Sequence, residues 1–124
     1  MNALVVDDVA IIRKSVSKNL SKMEKVEQVY EEKDGVEALK ILEEDEHIEL
    51  IITDWNMPEL NGMDMVIKIR ENPKFKDIYI IMITAQDSKE LVIEAVTNGV
   101  NDYIVKPYNI ATLMKKIERV FSTR

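Results

Sequence analysis

Leu50-Ile51-Ile52-Thr53-Asp54 is an almost uninterrupted apolar run closed by a carboxylate. Such a run, with no polar alternation, reads as a strand buried on both faces. Runs of the same kind recur at residues 3–6, 79–84 and 103–105. A weaker one, Val26-Glu27-Gln28-Val29-Tyr30-Glu31, alternates in polarity and reads as an edge strand.

The segments between these runs are helical by period. Ile12, Val16, Leu20 and Met23 fall at i, i+4, i+8 and i+11, and Met63, Val66 and Ile69 lie three apart. Leu113, Ile117 and Val120 continue the rule near the end. Gly35 precedes one helix, Gly62 opens another, and Gly99 sits where a C′ glycine stops a fourth. Asp87-Ser88-Lys89-Glu90 supplies capping groups for that fourth helix. Five strands alternating with five helices predict an α/β fold, a parallel sheet covered on both faces with right-handed crossovers. For a single domain spanning residues 1–124, the flavodoxin-like doubly wound order 2-1-3-4-5 is expected.

Composition narrows the function. Apolar residues make up 46% of the 124 and charged residues 32%, which suits one core under a solvated surface. No stretch is long and apolar enough for membrane insertion. The N-terminus turns acidic at Asp7-Asp8, too soon for a secretory signal. There is no cysteine, hence no disulfide framework and no thiolate metal site, and a cytoplasmic address fits. The net charge of −6, without a basic patch, points to protein partners or cations rather than direct nucleic-acid contact.

The polar residues at the strand ends carry the chemistry. The first strand ends in Asp7-Asp8, the third in Thr53-Asp54, the fourth in Thr84, and the fifth in Lys106-Pro107. In open α/β sheets ligands bind at this carboxyl edge, where the strand order reverses. The order 2-1-3-4-5 makes strands one and three neighbours there, so Asp7, Asp8 and Asp54 meet in one cleft. Two unit charges about 4 Å apart interact by roughly 4 kcal/mol at an effective dielectric of about 20. A hard divalent cation relieves that repulsion, and an all-oxygen set without His or Cys suits Mg²⁺. Lys106 then supplies a cation and Thr84 a hydroxyl for a phosphoryl group. Asp54, on the strand central to the cluster, is the best candidate acceptor, since carboxylates form aspartyl-phosphates. Taken singly, each residue has an ordinary explanation: a turn or cap for Asp8, strand propensity for Thr84, a solvated loop for Lys106. The specificity lies in four strand ends of one pattern carrying the complete set.

Leu4-Val5-Val6-Asp7-Asp8, Asp54-Trp55-Asn56-Met57-Pro58 with Gly62, Met82-Ile83-Thr84-Ala85, and Asp102-Tyr103-Ile104-Val105-Lys106-Pro107 together resemble the receiver domains of two-component response regulators. The likeness runs from Ala3 to about Phe121, and the Asp-Trp-Asn-Met-Pro segment is most similar to stand-alone chemotaxis regulators of the CheY type. The resemblance implies that Asp54 takes a phosphoryl group from a histidine kinase or a small donor. It implies that Asp8, Asp54 and the backbone carbonyl of Asn56 bind Mg²⁺ directly, with Asp7 acting through a metal-bound water. Thr84 and Lys106 would hold phosphoryl oxygens, and Tyr103 would be an aromatic switch that turns inward as Thr84 moves. The Lys106-Pro107 peptide is expected to be cis.

A phosphoryl group brings about −1.5 to −2 charges. The readout surface implied is the fourth helix, fifth strand and fifth helix, with Lys89 and Val92 as exposed contacts. The target is a downstream protein, a flagellar motor switch if the chemotaxis likeness extends that far. Gln86 stands where the best-known chemotaxis pattern has an acid, so the lifetime of the phosphorylated state is open. His47, in the acidic segment of residues 43–47, reads as a loop residue, and Trp55 as a reporter beside Asp54.

Three other readings compete. An aspartate-nucleophile phosphatase of the haloacid dehalogenase kind wants a second Asp at the place of Asn56, and a cap domain. A flavodoxin-like electron carrier wants a Ser/Thr/Gly-rich loop where Asp7-Asp8 stand. The chain also fits the receiver half of a larger regulator with a DNA-binding or enzymatic output domain; it stops close to its last helix, as either a lone domain or a trimmed piece of a longer chain would.

Overall fold

Alternate residues of a strand point to opposite faces of a sheet, and here both faces are covered. The computed structural model describes residues 1–45 and 47–122. Glu46 of the acidic segment and the last two residues of the expected domain lie outside them. The strands are β1 (Asn2–Val6), β2 (Gln28–Glu32), β3 (Ile48–Thr53), β4 (Tyr79–Thr84) and β5 (Asp102–Val105). The helices are α1 (Ala10–Ser21), α2 (Gly35–Glu44), α3 (Gly62–Glu71), α4 (Lys89–Thr97) and α5 (Ile110–Ser122), with a 3-10 turn at Pro73–Phe75. All pairings are parallel and the order is β2-β1-β3-β4-β5. This is the expected doubly wound flavodoxin-like sheet.

Leu4, Val6, Ile51, Ile80 and Met82 form one core with Met63, Val66 and Ile69 of α3, Ala38 and Leu42 of α2, and Ala95 of α4. Ala3, Val5, Leu50, Ile52, Ile81 and Ile83 form the other, with Val16 and Leu20 of α1 and Leu113, Ile117 and Phe121 of α5. Removing any of the fully buried Leu or Ile side chains to Ala costs about 2–5 kcal/mol by the transfer and cavity terms.

Local chemistry sets the helix ends. Asp34, Asn61 and Ser88 accept hydrogen bonds from the backbone N–H of Glu37, Asp64 and Leu91 at the starts of α2, α3 and α4. Gly99, at φ +111°, takes the positive φ that ends α4.

Two expectations need correction. The run at residues 103–105 reads as buried on both faces, but β5 is an edge strand with half-buried and exposed positions; Tyr103 and Ile104 pack against the two opposite cores, and the exposure comes from the side with no neighbouring strand. Met23 lies beyond the end of α1 and packs against the core from the following turn. On α5, Val120 packs half-buried against the core as the period predicts, with Phe121 buried beside it.

Candidate functional site

The sheet ladders run past the strand ends and set the site's geometry. Asp54 N–H donates to the Val6 carbonyl at 3.1 Å, Asp7 N–H to Glu32 at 3.1 Å, and Lys106 N–H to Thr84 at 2.8 Å. Asp54 therefore sits beside the Val6–Asp7 peptide, because Thr53 is in register with Val6. Asp7, Asp8 and Asp54 each present a carboxylate oxygen, and these three oxygens lie within 4.8 Å of one another. Asp7 and Asp54 are 5% and 9% exposed, whereas Asp8 is open to solvent.

Lys106 closes the cleft from β5. Its Nζ donates to Asp54 Oδ2 at 2.9 Å and lies 3.8 Å from Asp7 Oδ2. The other Asp54 oxygen accepts from the Trp55 N–H at 2.6 Å. Burial pushes the Asp7 carboxyl above its ordinary value; the Val9 N–H and Lys106 pull it down, and Asp54 and Asp8 add to the rise. For Lys106, burial is the largest influence and acts downward, but the hydrogen bond and charge of Asp54, with Asp7, outweigh it and raise the ammonium's pKa. The lysine is thus a permanent cation at neutral pH.

Thr84 and Tyr103 meet at the loop after β4. The buried Thr84 hydroxyl accepts from the Gln86 N–H at 3.3 Å, and the Tyr103 hydroxyl donates to the Gln86 carbonyl at 2.7 Å. Gln86 backbone groups therefore join these two side chains. Thr84 is at the carboxyl edge with the acidic residues but bonds to this loop. Asn56 is exposed on the loop that follows Asp54. The Lys106–Pro107 bond is cis.

The donors fit a hard cation. All three are carboxylate oxygens, one is solvent-facing, and a single ammonium leaves two of their negative charges unbalanced. Mg²⁺ binds through one or two carboxylates and keeps several waters. The exposed side of Asp8 leaves room for that hydration.

Gly62 has a larger part than opening a helix. A Cβ there would stand 1.9 Å from the Asp54 carbonyl oxygen, and its N–H donates to the Trp55 carbonyl at 2.7 Å. Only a bare backbone lets α3 start against the Asp54–Trp55 peptide. The single trace of this in the sequence is a glycine at a helix start, where most residues are tolerated. Arg13, which donates to the Asp7 carbonyl, leaves no comparable trace.

The family model for the response regulator receiver domain matches residues 3–118. The chain is 46% identical over 123 residues to the chemotaxis protein CheY1 of Helicobacter pylori, covering 99% of this chain and 98% of that one. It is 42% identical to a chemotaxis protein CheY homolog of Campylobacter jejuni, covering 99% and 94%. Among solved structures, the chemotaxis response regulator CheY4 of Vibrio cholerae superposes with a TM-score of 0.85 at 34% identity, covering 96% of this chain and 97% of that one.

Proposed function

Because this chain belongs to the response regulator receiver domain family and is of the CheY type within two-component signalling, we propose that it is a switch set by phosphorylation of Asp54. One observation carries the reading: a buried carboxylate, held by Lys106 at 2.9 Å, shares its cleft with two further carboxylates. That arrangement concentrates negative charge around a nucleophile and supplies one fixed cation to a transferring group.

In this reading Asp8, Asp54 and the Asn56 carbonyl would hold Mg²⁺ directly, and Asp7 would assist through water. When bound, the ion neutralises charge on the phosphoryl oxygens. An Asp54 oxygen attacks phosphorus as the bond to the donor's imidazole nitrogen breaks, and the released imidazole takes up a proton. The Lys106 ammonium passes from the Asp54 carboxylate to a phosphoryl oxygen. The Thr84 hydroxyl gives up the Gln86 N–H and turns to the new anion. That movement frees the Gln86 loop and resets the Tyr103 hydroxyl bonded to it. The protein catalyses its own phosphorylation and dephosphorylation, and the histidine kinase is the donor.

The readout face is α4, β5 and α5, and its target is a protein of the flagellar motor-switch kind. The apolar groups that support this face differ from those read in the sequence. Val92 is half-buried, whereas Ile93 and Val96 are 54% and 55% exposed, beside the exposed Lys89. No described helix is long and apolar enough to cross a membrane. We place the switch in the cytoplasm, as one domain of residues 1–124.

The test is incubation with acetyl phosphate and Mg²⁺ followed by intact-mass measurement. One added phosphoryl group is expected on the wild-type chain and none on Asp54→Asn. A stable adduct on a serine or histidine rejects the scheme.

A further inference from the structure

Arg13 reaches back from the first turn of α1 to the acidic edge. Its Nη1 donates to the Asp7 carbonyl at 2.8 Å and its Nε to Glu31 Oε1, on β2, at 3.3 Å. Its side chain is only 16% exposed. Helix chemistry does not account for this placement. A cation near a helix N-terminus opposes the helix dipole. The N-cap of α1, Val9, contributes no side-chain hydrogen bond, in contrast to the polar caps of α2, α3 and α4.

What Arg13 completes is the anchoring of Asp7. The Asp7 N–H donates to Glu32 at 3.1 Å, Oδ1 accepts from the Val9 N–H at 2.9 Å, and Oδ2 lies 3.8 Å from Lys106. The carbonyl is the remaining polar atom, and the guanidinium takes it. That carbonyl belongs to the peptide that leads into Asp8, whose exposed carboxylate must be aimed from the backbone.

We propose that Arg13 is a positioning residue for the cation site. Braced by Glu31, its guanidinium fixes the Asp7–Asp8 peptide so that the Asp8 carboxylate stands with those of Asp7 and Asp54. The proposal rests on reading the three carboxylates as a cation site. Its sign separates it from a simple charge effect. A nearby positive charge by itself repels a metal ion, so removing Arg13 would tighten binding if charge ruled. If positioning rules, removal weakens it. Arg13→Lys sharpens the contrast, because it keeps the charge but lacks the fork that spans Glu31 and the carbonyl together.

The experiment is Mg²⁺ titration followed by Trp55 fluorescence, on the wild type, Arg13→Lys, Arg13→Ala and Glu31→Gln. Beryllofluoride is then titrated at saturating Mg²⁺, and thermal melts are recorded in EDTA. Both Arg13 variants are expected to raise the Mg²⁺ midpoint roughly tenfold, the lower end for loss of an outer-sphere partner. Glu31→Gln shifts it less, in the same direction. The beryllofluoride midpoint stays put, since Lys106 and Thr84 are untouched; general loosening of the fold would move it too. A Lys variant equal to wild type with a tighter Ala variant overturns the proposal, as do unchanged midpoints throughout. If Arg13→Ala melts below the assay temperature, Arg13→Lys and Glu31→Gln decide. A wild-type chain with no saturable Mg²⁺ response overturns the cation-site reading, and this proposal with it.

Discussion

Asp7 is buried at the carboxyl edge of the sheet, its carboxylate grouped with those of Asp8 and Asp54. Burial raises its pKa, with Asp54 and Asp8 adding to the rise against the Val9 N–H and Lys106. The folded state therefore holds the Asp7 proton more tightly than the unfolded chain does. The stability this confers is full below the ordinary carboxylate pKa of about 3.9 and is lost as pH rises through the raised folded value. Asp7→Asn removes that dependence while keeping an acceptor for the Val9 N–H. In EDTA, the melting temperature of Asp7→Asn minus that of wild type should grow as pH rises from the ordinary carboxylate range toward neutrality. A difference that stays flat with pH would show that burial of Asp7 carries no such linkage. The sequence brings Asp7 to the site by its position at a strand end, but its burial, which decides this prediction, depends on other segments, with Glu32 and Lys106 brought beside it by the fold.

At the scale of elements, period and breakers were enough to locate all five helices and five strands, and the carboxyl edges followed from strand order. Two kinds of feature stayed hidden. The partial exposure of β5 was one: its Tyr103 and Ile104 pack against the two opposite cores like the side chains of a central strand, and the run itself does not show that its positions stay half-buried or exposed. The other was long side chains that bond to distant backbone carbonyls, which impose no spacing rule. Arg70 is the largest case. From the end of α3 its guanidinium donates to the carbonyls of Gly99, Phe75 and Ile78 and to Asn101 Oδ1, at 2.8–3.1 Å. Asn101 Oδ1 in turn accepts from the Ile80 N–H. This hub joins α3, the 3-10 turn, β4 and the α4–β5 turn on the side of the sheet away from Asp54. Arg70→Met keeps the aliphatic stem and removes the donors. It should cost about 1.5–3 kcal/mol by urea denaturation, the range for hydrogen bonds to a charged group. Hydrogen exchange should quicken first at Ile80 and Asn101, while the beryllofluoride midpoint holds. Destabilisation under about 0.5 kcal/mol, the ordinary surface range, would mean that water replaces the clamp without loss.

At the scale of the whole molecule, like charge is crowded at the carboxyl edge of the sheet, where Asp7, Asp8 and Asp54 meet, while other charged groups form ordinary ion pairs. Lys116 pairs with Asp102 at 3.1 Å and Arg13 with Glu31 at 3.3 Å, but the three site carboxylates share one ammonium. A sheet with two well-packed cores can hold such a cluster because the cost falls within the reserve that burial provides. On the proposed reading, the metal-free protein is below its attainable stability and a bound cation would recover the difference. Asp8→Ala thins the cluster without disturbing a buried contact, since Asp8 is exposed. In EDTA its melting temperature should exceed that of wild type. In Mg²⁺ the order should reverse, because the wild type gains about 2.7 kcal/mol at a hundredfold excess over its Kd, and the variant has lost a ligand. Measured as paired melts at one pH, an Asp8→Ala chain no more stable than wild type in EDTA would show that solvent already screens the crowding. In that case the acidic edge would be shaped by the bound state alone, with no strain stored in the free one.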